Sequence, residues 1–316
     1  MSLFKHRILI SSICCVALVV LSVAGQKDEE KQRVRTVSIP ISIYTKSEIE
    51  QGQTEELLQV DRLIVTENLV EQEILSIRSR TDVPLSLAIL IQDDLTSDFN
   101  LHIRDLAKFV EQLPRGTRVM VAYMGAGSLN VRQKFTDDLA KASKSFRIVF
   151  GSASAAPRSP FESVSDALDR FDALPGGRRA ILMVSNGLDL SSGSLSASPS
   201  MSVELQASIR KAQRKNVAVY GIFSPGVSGI GAPLGVLNGQ GSISVLTEET
   251  GGRLFNNLSS TPVNINPFLQ QFGVLIGRQF LLTYISTNMK KGYYKVEVKS
   301  TNPEVKIEHP KGYFYR

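Results

Sequence analysis

The 316-residue chain has few of the residues that build covalent or metal-held structure. Its two cysteines, Cys14 and Cys15, lie inside one apolar run near the N-terminus. A chain processed after that run therefore has no cysteine, which excludes disulfides, thiolate nucleophiles and cysteine metal sites. We expect a hydrophobic core alone to hold the fold.

The signatures of common enzyme classes are missing as well. Only His102 and His309 lie beyond the apolar run, and the sequence has no Gly-x-Ser-x-Gly motif. The glycines of residues 224–241 match neither a dinucleotide-binding nor a Walker motif. Acidic pairs such as Glu248 and Glu249 are typical of a solvated helix face. We therefore expect no catalytic residues and no enzymatic activity.

The N-terminus has the order of segments that is typical of a secretory signal. Basic residues at 5–7 precede an apolar run at 8–23 and a small-residue site that ends at Ala24. The run is short for a membrane-spanning helix. We expect cleavage near Ala24 and a secreted or periplasmic protein without a membrane span, although an uncleaved anchor is the alternative.

The net charge of +6 and the pI near 9.3 favour acidic partners in general. The basic residues are nevertheless scattered over different predicted elements, as at Lys141, Lys144, Arg178 and Arg179. A solvated surface explains this distribution, and export also argues against a nucleic-acid partner.

Hydrophobic patterning divides the chain into three parts. Residues 34–43 alternate like a half-buried strand, and 57–64 and 70–77 are also strand-like, so 33–80 is predicted to be β rather than helical. Residues 84–91 form a nearly continuous apolar run, typical of a parallel strand buried on both faces. After residue 279 the pattern is β again, at 280–285, 292–298, 305–307 and 313–315.

The central part alternates between strands and helices. Strands are predicted at 118–123, 131–135, 180–185 and 217–223, and helices at 101–113, 137–146, 163–174, 203–214, 242–249 and 264–276. This alternation predicts an α/β fold with a doubly wound, mainly parallel sheet. Because short open strands are unstable alone, the N- and C-terminal segments are expected to form one small β region. The predicted divisions are a signal peptide at 1–24, an N-terminal β segment at 25–84, the α/β domain at 85–276 and a C-terminal β segment at 277–316.

Several segments together resemble a known family, the bacterial von Willebrand factor A–related proteins abundant in acidobacteria. The resemblance covers most of the processed chain and rests on the order and spacing of pieces that are individually unspecific. These pieces include Pro84-Leu-Ser-Leu-Ala-Ile-Leu-Ile, Ser165-Asp-Ala-Leu, Arg178-Arg-Ala-Ile-Leu-Met-Val-Ser-Asn-Gly, Thr247-Glu-Glu-Thr-Gly-Gly-Arg, Gly277-Arg-Gln-Phe-Leu-Leu-Thr-Tyr and Lys311-Gly-Tyr-Phe-Tyr.

The resemblance implies a place for a divalent ion at the carboxyl ends of the strands. In type A domains an Asp-x-Ser-x-Ser turn, a threonine and an aspartate hold the ion, and a partner's carboxylate completes its shell. Here the first aspartate position falls on Gln92, the two serine positions on Asp94 and Thr96, the threonine near Glu162 and the last aspartate on Asn186. Neutral amides are weak ligands for a hard cation, so no metal and no cofactor are expected.

Three other interpretations of these residues remain open. Asp94, Thr96 and Glu162 could form a rebuilt site for Mg²⁺ or Mn²⁺ in a metal-dependent adhesion protein. Asp93, Asp94 and Glu162 could serve a hydrolase or glycan-active enzyme. The third interpretation is that Asp93 and Asp94 cap the helix that follows them.

Ligands approach an open parallel sheet at the carboxyl ends of its strands, where three loops are predicted, at 92–99, 186–202 and 224–241. The third holds Val227, Ile230 and Leu234, and it is either a contact loop or a poorly ordered insertion. The leading hypothesis is an exported protein-interaction or adhesion module with a degenerate metal site. Its expected partner-binding residues are Asp93, Asp94, Thr96, Glu162, Asn186, Val227, Ile230 and Leu234.

Overall fold

The computed structural model describes residues 33–51, 63–79, 82–191, 193, 198–229, 233–255 and 260–315. The chain divides into two compact units, Met1–Val34 and Arg35–Arg316. The predicted signal peptide at 1–24 lies outside the described residues, so it remains a prediction. Within the described ranges, no helix combines the length and hydrophobicity needed to cross a membrane.

The second unit begins and ends with strands. Its first elements are β1 (Arg35–Thr45), α1 (Lys46–Gln51), β2 (Leu63–Glu67), β3 (Val70–Gln72) and β4 (Ile74–Arg78). The central elements are β5 (Leu85–Gln92), α2 (Ile103–Glu111), β6 (Arg118–Met124), β7 (Leu129–Thr136), α3 (Leu139–Ser143), α4 (Pro160–Arg170), β8 (Arg178–Ser185), α5 (Val203–Lys215), β9 (Ala218–Phe223), α6 (Pro233–Glu249) and α7 (Asn266–Gly277). The last strands are β10 (Gln279–Ser286), β11 (Gly292–Ser300), β12 (Val305–Glu308) and β13 (Gly312–Tyr315), and 3-10 turns occur at Ser97–His102, Ala153–Ala155, Phe171–Ala173, Pro199–Met201 and Val227–Gly229.

The central sheet has the order β7-β6-β5-β8-β9. β5, β6, β8 and β9 are parallel, and β7 is antiparallel to β6. Leu87 and Ile89 of β5 face one apolar cluster, whereas Ala88 and Leu90 face another, so the sheet is covered on both sides. The predicted doubly wound, mainly parallel sheet is confirmed.

The N- and C-terminal segments form a β sandwich. One sheet has the order β12-β1-β10-β4 and the other β13-β11-β2-β3, so each sheet mixes strands from both ends of the unit. A shared apolar cluster fills the space between them and includes Ile39, Ile41, Val65, Leu282 and Val296. The predicted small β region is confirmed.

The N-terminal segment differs from its prediction in two places. The single strand predicted at 70–77 is two strands, β3 and β4, which pair with β2 and β10 in different sheets. Helix α1 lies between two predicted strands, in the region 33–80 that was predicted to be β rather than helical. Thr45 and Glu48 form a reciprocal cap, in which the backbone N–H of Thr45 donates to Glu48 (2.6 Å) and that of Glu48 donates to the Thr45 hydroxyl (3.3 Å).

The long loop predicted at 224–241 is wrong for its second half, because α6 begins at Pro233. Glycine disfavours helix in isolation, but Gly235, Gly239 and Ile243 lie on the buried face of α6. A Cβ atom added at Gly239 would lie 2.1 Å from the carbonyl oxygen of Asn186. Close backbone packing against the end of β8 therefore requires glycine here and overrides its low helix propensity.

Candidate functional site

The loops after β5 and β9 are joined at the carboxyl edge of the central sheet. The backbone N–H of Thr96 donates to the carbonyl of Pro225 (3.1 Å), and that of Val227 donates to the carbonyl of Asp94 (2.7 Å). Leu95 and Gly226 form an isolated antiparallel bridge between the same loops. The short segment after β9 is thereby held over the end of β5.

Side chains from all three loops meet beneath this bridge. We name Gln92, Asp94, Ser185, Asn186 and Ser228 the rim cluster. The Gln92 amide nitrogen donates to Asp94 Oδ1 (2.6 Å) and to Asn186 Oδ1 (3.0 Å). The Ser228 hydroxyl donates to Asp94 Oδ2. The structure therefore brings Gln92, Asp94 and Asn186 together at this edge.

The hydrogen-bond network fixes which end of the Gln92 amide faces Asp94. Gln92 Oε1 accepts from the Ser185 hydroxyl (2.5 Å) and from the backbone N–H of Asn186 (3.3 Å), so its NH₂ group must be the end directed at Asp94. Asn186 Oδ1 accepts from the backbone N–H of Leu188 (3.0 Å). An amide N–H donor thus bridges the oxygens of Asp94 and Asn186, where a bound cation would need those oxygens as ligands. The rim cluster does not fit a divalent ion.

The rim cluster is also closed to solvent. Gln92, Asp94 and Asn186 are 1%, 0% and 2% exposed. Gly226 covers them so closely that an added Cβ would lie 2.2 Å from Asn186 Nδ2. Asn186 Nδ2 and Ser224 Oγ are buried without a hydrogen-bond partner among the described residues. A partner's carboxylate could not reach Asp94 unless the segment after β9 moved.

The structure does not bring the alternative metal ligands together. The Thr96 hydroxyl contacts that of Thr261 (3.1 Å), and Glu162 is exposed in the first turn of α4. Neither residue takes part in the hydrogen bonds of Asp94. In the described part of the chain, no group of three or more histidine, cysteine and acidic side chains could hold a metal ion.

The remaining predicted contact residues lie at different depths. Val227 is half-buried in its 3-10 turn, and Leu234 is 66% exposed at the start of α6. Ile230 lies outside the described residues.

Asp93 and Asp94 do not cap a helix, so that interpretation is wrong. The 3-10 turn after them has Thr96 at its N-cap position and no side-chain cap hydrogen bond. Asp93 instead forms a bidentate ion pair with Arg147 (2.6 and 2.7 Å). This places the two carboxylates in separate networks, since Asp94 bonds to Gln92 and Ser228. The carboxylate pair that an enzyme would need is therefore not assembled.

Arg147 forms a second set of side-chain contacts at this edge, which the sequence did not predict. Its guanidinium lies 3.9 Å from the ring centroid of Tyr123 and 4.4 Å from that of Phe150. The hydrogen bonds to Asp93 raise the pKa of Arg147, and burial raises the pKa of Tyr123. Nothing in the local sequence links Arg147 to Asp93, because the pair is made by tertiary packing over 54 positions.

An open groove of about 590 Å³ lies beside this ion pair. We call it the rim groove, and it is lined by Asp93, Gly125, Ala126, Ser128, Asn130, Phe150, Ser152, Ser154 and Ala155. Phe150 is 67% exposed and the nearby Ile148 is 64% exposed. The lining therefore offers one carboxylate that Arg147 neutralises, one aromatic ring and several hydroxyl groups.

No protein-family model matches the chain, and a search of curated proteins also gives no match. Solved structures with a similar fold include BatB from Bacteroides thetaiotaomicron, at 13% identity and TM-score 0.44, covering 60% of this chain and 98% of that one. A von Willebrand factor type A protein from Catenulispora acidiphila is 8% identical at TM-score 0.44, covering 90% of this chain and 75% of that one. The parallel order of β5, β6, β8 and β9 and the apolar clusters on both faces of the sheet establish the α/β fold by themselves.

Proposed function

We propose that the chain is an exported protein-interaction or adhesion module that binds its partner at the carboxyl edge of the central sheet without a divalent ion. The observation that carries this proposal is the hydrogen bonding of the Gln92 amide, which donates to both Asp94 and Asn186. The amide thereby bridges the two oxygens that a bound cation would need as ligands. No catalytic role is proposed for Asp93 or Asp94, because both are held in structural hydrogen bonds.

The rim groove is the proposed contact surface. Its ion pair between Asp93 and Arg147 is satisfied within the chain, so a partner need not supply a charge there. Exposed Phe150 and Ile148 offer apolar area, which is the usual anchor of a protein interface. A partner that inserts an apolar side chain beside Phe150 and hydrogen-bonds to the serines of the groove would match this lining.

The first experiment measures metal dependence. A divalent ion at 100 times its dissociation constant would stabilise the folded chain by about 2.7 kcal/mol. We expect no change in melting temperature with Mg²⁺ or Mn²⁺. A chain carrying Gln92→Asp, Asp94→Ser and Asn186→Asp, all within the rim cluster, is the positive control and should gain metal-dependent stability. A metal-induced shift in the unmodified chain would instead support the rebuilt adhesion site.

The second experiment tests the contact surface in the cell that makes the protein. A photo-crosslinking amino acid at Phe150 should yield adducts with a protein partner, and the yield should survive a chelator. The matched control places the same group at Leu69, which is 85% exposed between β2 and β3 of the sandwich. Equal adducts at both positions, or loss of the Phe150 adduct with chelator, would contradict the proposal.

The third experiment tests export. Expressed in a bacterial host, the chain should lose about 24 residues, because the predicted signal ends at Ala24. Mass spectrometry of the envelope and cytoplasmic fractions measures this. An intact N-terminus on a cytoplasmic product would exclude export while leaving the groove experiment valid.

A further inference from the structure

We propose a second binding site, for a monoanionic amphiphile such as a single-chain carboxylate, at the opposite edge of the central sheet. A cavity of about 740 Å³ lies between α2 and α7. Its lining includes Leu85 and Arg178, which begin β5 and β8, so it lies at the amino ends of the strands. The volume is in the range of ordinary small-molecule sites. The site is independent of the rim groove and of the function proposed for it.

The inner wall of the cavity is apolar. Leu85, Leu113 and Leu269 line it and are buried, and Ile276 continues the same surface. Gly273 of α7 also lines it, and a Cβ atom added there would lie 3.6 Å from the Phe109 ring. The missing side chain at Gly273 therefore keeps the space in front of Phe109 open. Such a wall favours a hydrocarbon chain or ring over a fully polar ligand.

Basic groups outnumber acidic groups around the cavity. Lys108 and Arg115 are exposed lining residues, and neither forms an ion pair with another residue in the described ranges. Arg178 is buried at the base, where its guanidinium donates to the carbonyls of Val83, Ile276 and Gln279. Asp105 is the acidic residue among the described lining side chains. The resulting positive potential favours an anionic headgroup near Lys108 and Arg115.

Calorimetric titration of the full exported chain tests the site with decanoate as the probe and decanol as its uncharged match. We expect saturable one-to-one binding of decanoate and binding on the order of tenfold weaker for decanol. Raising the salt concentration should weaken decanoate binding and leave decanol unaffected, because exposed charges are screened. Equal affinity for both probes would overturn the anionic part of the proposal.

Two variants and one control variant test whether decanoate binds in this cavity. Lys108→Glu with Arg115→Glu changes exposed residues, so the fold should persist while decanoate affinity falls about tenfold or more. Arg104→Glu with Lys290→Glu makes the same change in net charge outside the cavity and should leave affinity unchanged. Gly273→Leu fills the space beside Phe109 and should abolish binding of both probes. Decanoate binding that survives both Gly273→Leu and the Lys108 and Arg115 exchange would overturn the proposal.

Discussion

The molecule buries one carboxylate in the β sandwich and another at the carboxyl edge of the central sheet, and the two are satisfied to different degrees. Glu67 of β2 is 0% exposed, and its carboxylate accepts four hydrogen bonds, from Tyr284 (3.0 Å), Tyr313 (2.9 Å), Ser286 (2.8 Å) and Asn288 (2.7 Å). Arg35 of β1 adds a cation 3.9 Å away. Asp94 is equally buried but accepts side-chain hydrogen bonds from Gln92 and Ser228.

This difference in hydrogen bonding separates the Glu67 cluster, which joins the sandwich sheets, from the Asp94 cluster, which joins loops at the edge of the central sheet. The donors to Glu67 lie on β10, on the turn after it and on β13, so one carboxylate ties together strands of both sandwich sheets. Asp94 ties loops to loops, and its neighbours Asn186 Nδ2 and Ser224 Oγ lack described partners. Buried polar groups are nearly always satisfied in structural cores. Of these two carboxylate clusters, the one around Asp94 is therefore the less completely hydrogen-bonded.

The largest expected effect is at Glu67. Glu67→Ala leaves two tyrosine hydroxyls, a serine hydroxyl and an amide without their acceptor and Arg35 without its buried counter-ion, so we expect a loss of about 3–5 kcal/mol in the free energy of unfolding. Urea denaturation measures it, with exposed Glu73→Ala as the control expected to stay within about 0.5 kcal/mol. A loss below about 1 kcal/mol for Glu67→Ala would show that the sandwich does not depend on this carboxylate.

The second prediction concerns the packing that closes the rim cluster. Gly239→Ala places a methyl group 2.1 Å from the carbonyl oxygen of Asn186, so α6 must move away from the end of β8. We expect destabilisation of about 3 kcal/mol, the upper range for overpacking. Gly176→Ala is the matched control, since an added Cβ there meets nothing within 4 Å. Equal melting temperatures for the two variants would contradict the close approach of α6.

The strands of the fold could be predicted from the sequence because hydrophobic patterning marks them. The apolar run at 84–91 became β5, which is buried along its whole length as expected. The alternation at 34–43 became β1, but the half-burial that it predicted is wrong, because residues 39–44 are buried at every position. Helix α6 could not be predicted in full, because Gly239 is explained only by the backbone of Asn186 and Gly187 against which it packs. Local propensity carries no information about such a distant surface.

Part of the candidate site could be predicted, namely the positions that follow strand ends. Gln92 ends β5 and Asn186 follows β8, the neighbouring parallel strand, so their meeting follows from sheet topology. The pairing of Asp93 with Arg147 and the exposure of Phe150 depend on where an irregular loop folds, which no periodic pattern encodes. Glu162 was placed by resemblance to a family motif, and it is exposed on α4 without a hydrogen bond to the rim cluster among the described contacts.

The third prediction tests the less satisfied carboxylate. Asp94→Ala removes the acceptor of the Gln92 amide and of the Ser228 hydroxyl, so we expect a loss of about 2 kcal/mol, smaller than at Glu67 because fewer donors are orphaned. Asp98→Ala in the following turn is exposed and is the control. Chemical denaturation of both variants measures the difference. A loss as large as that of Glu67→Ala would remove the distinction between the two clusters.

The smallest effect is a pH response that belongs to the sandwich and not to the rim. His309 follows β12, where its Nε2 accepts the backbone N–H of Val298 (3.3 Å) and its Nδ1 donates to the carbonyl of Pro310 (2.9 Å), so the folded state holds it neutral. Burial lowers the pKa of His309 from its usual value near 6.5.

As the pH falls, His309 therefore binds a proton in the unfolded chain before it does so in the folded chain. Stability is complete above about pH 6.5 and declines below it until the pH passes the folded-state pKa. As the pH is lowered from about 7.5 to about 5.5, we expect the urea midpoint of the native chain to fall, and His309→Gln to flatten this change. Identical pH profiles for the two chains would show that the acid response originates outside the sandwich.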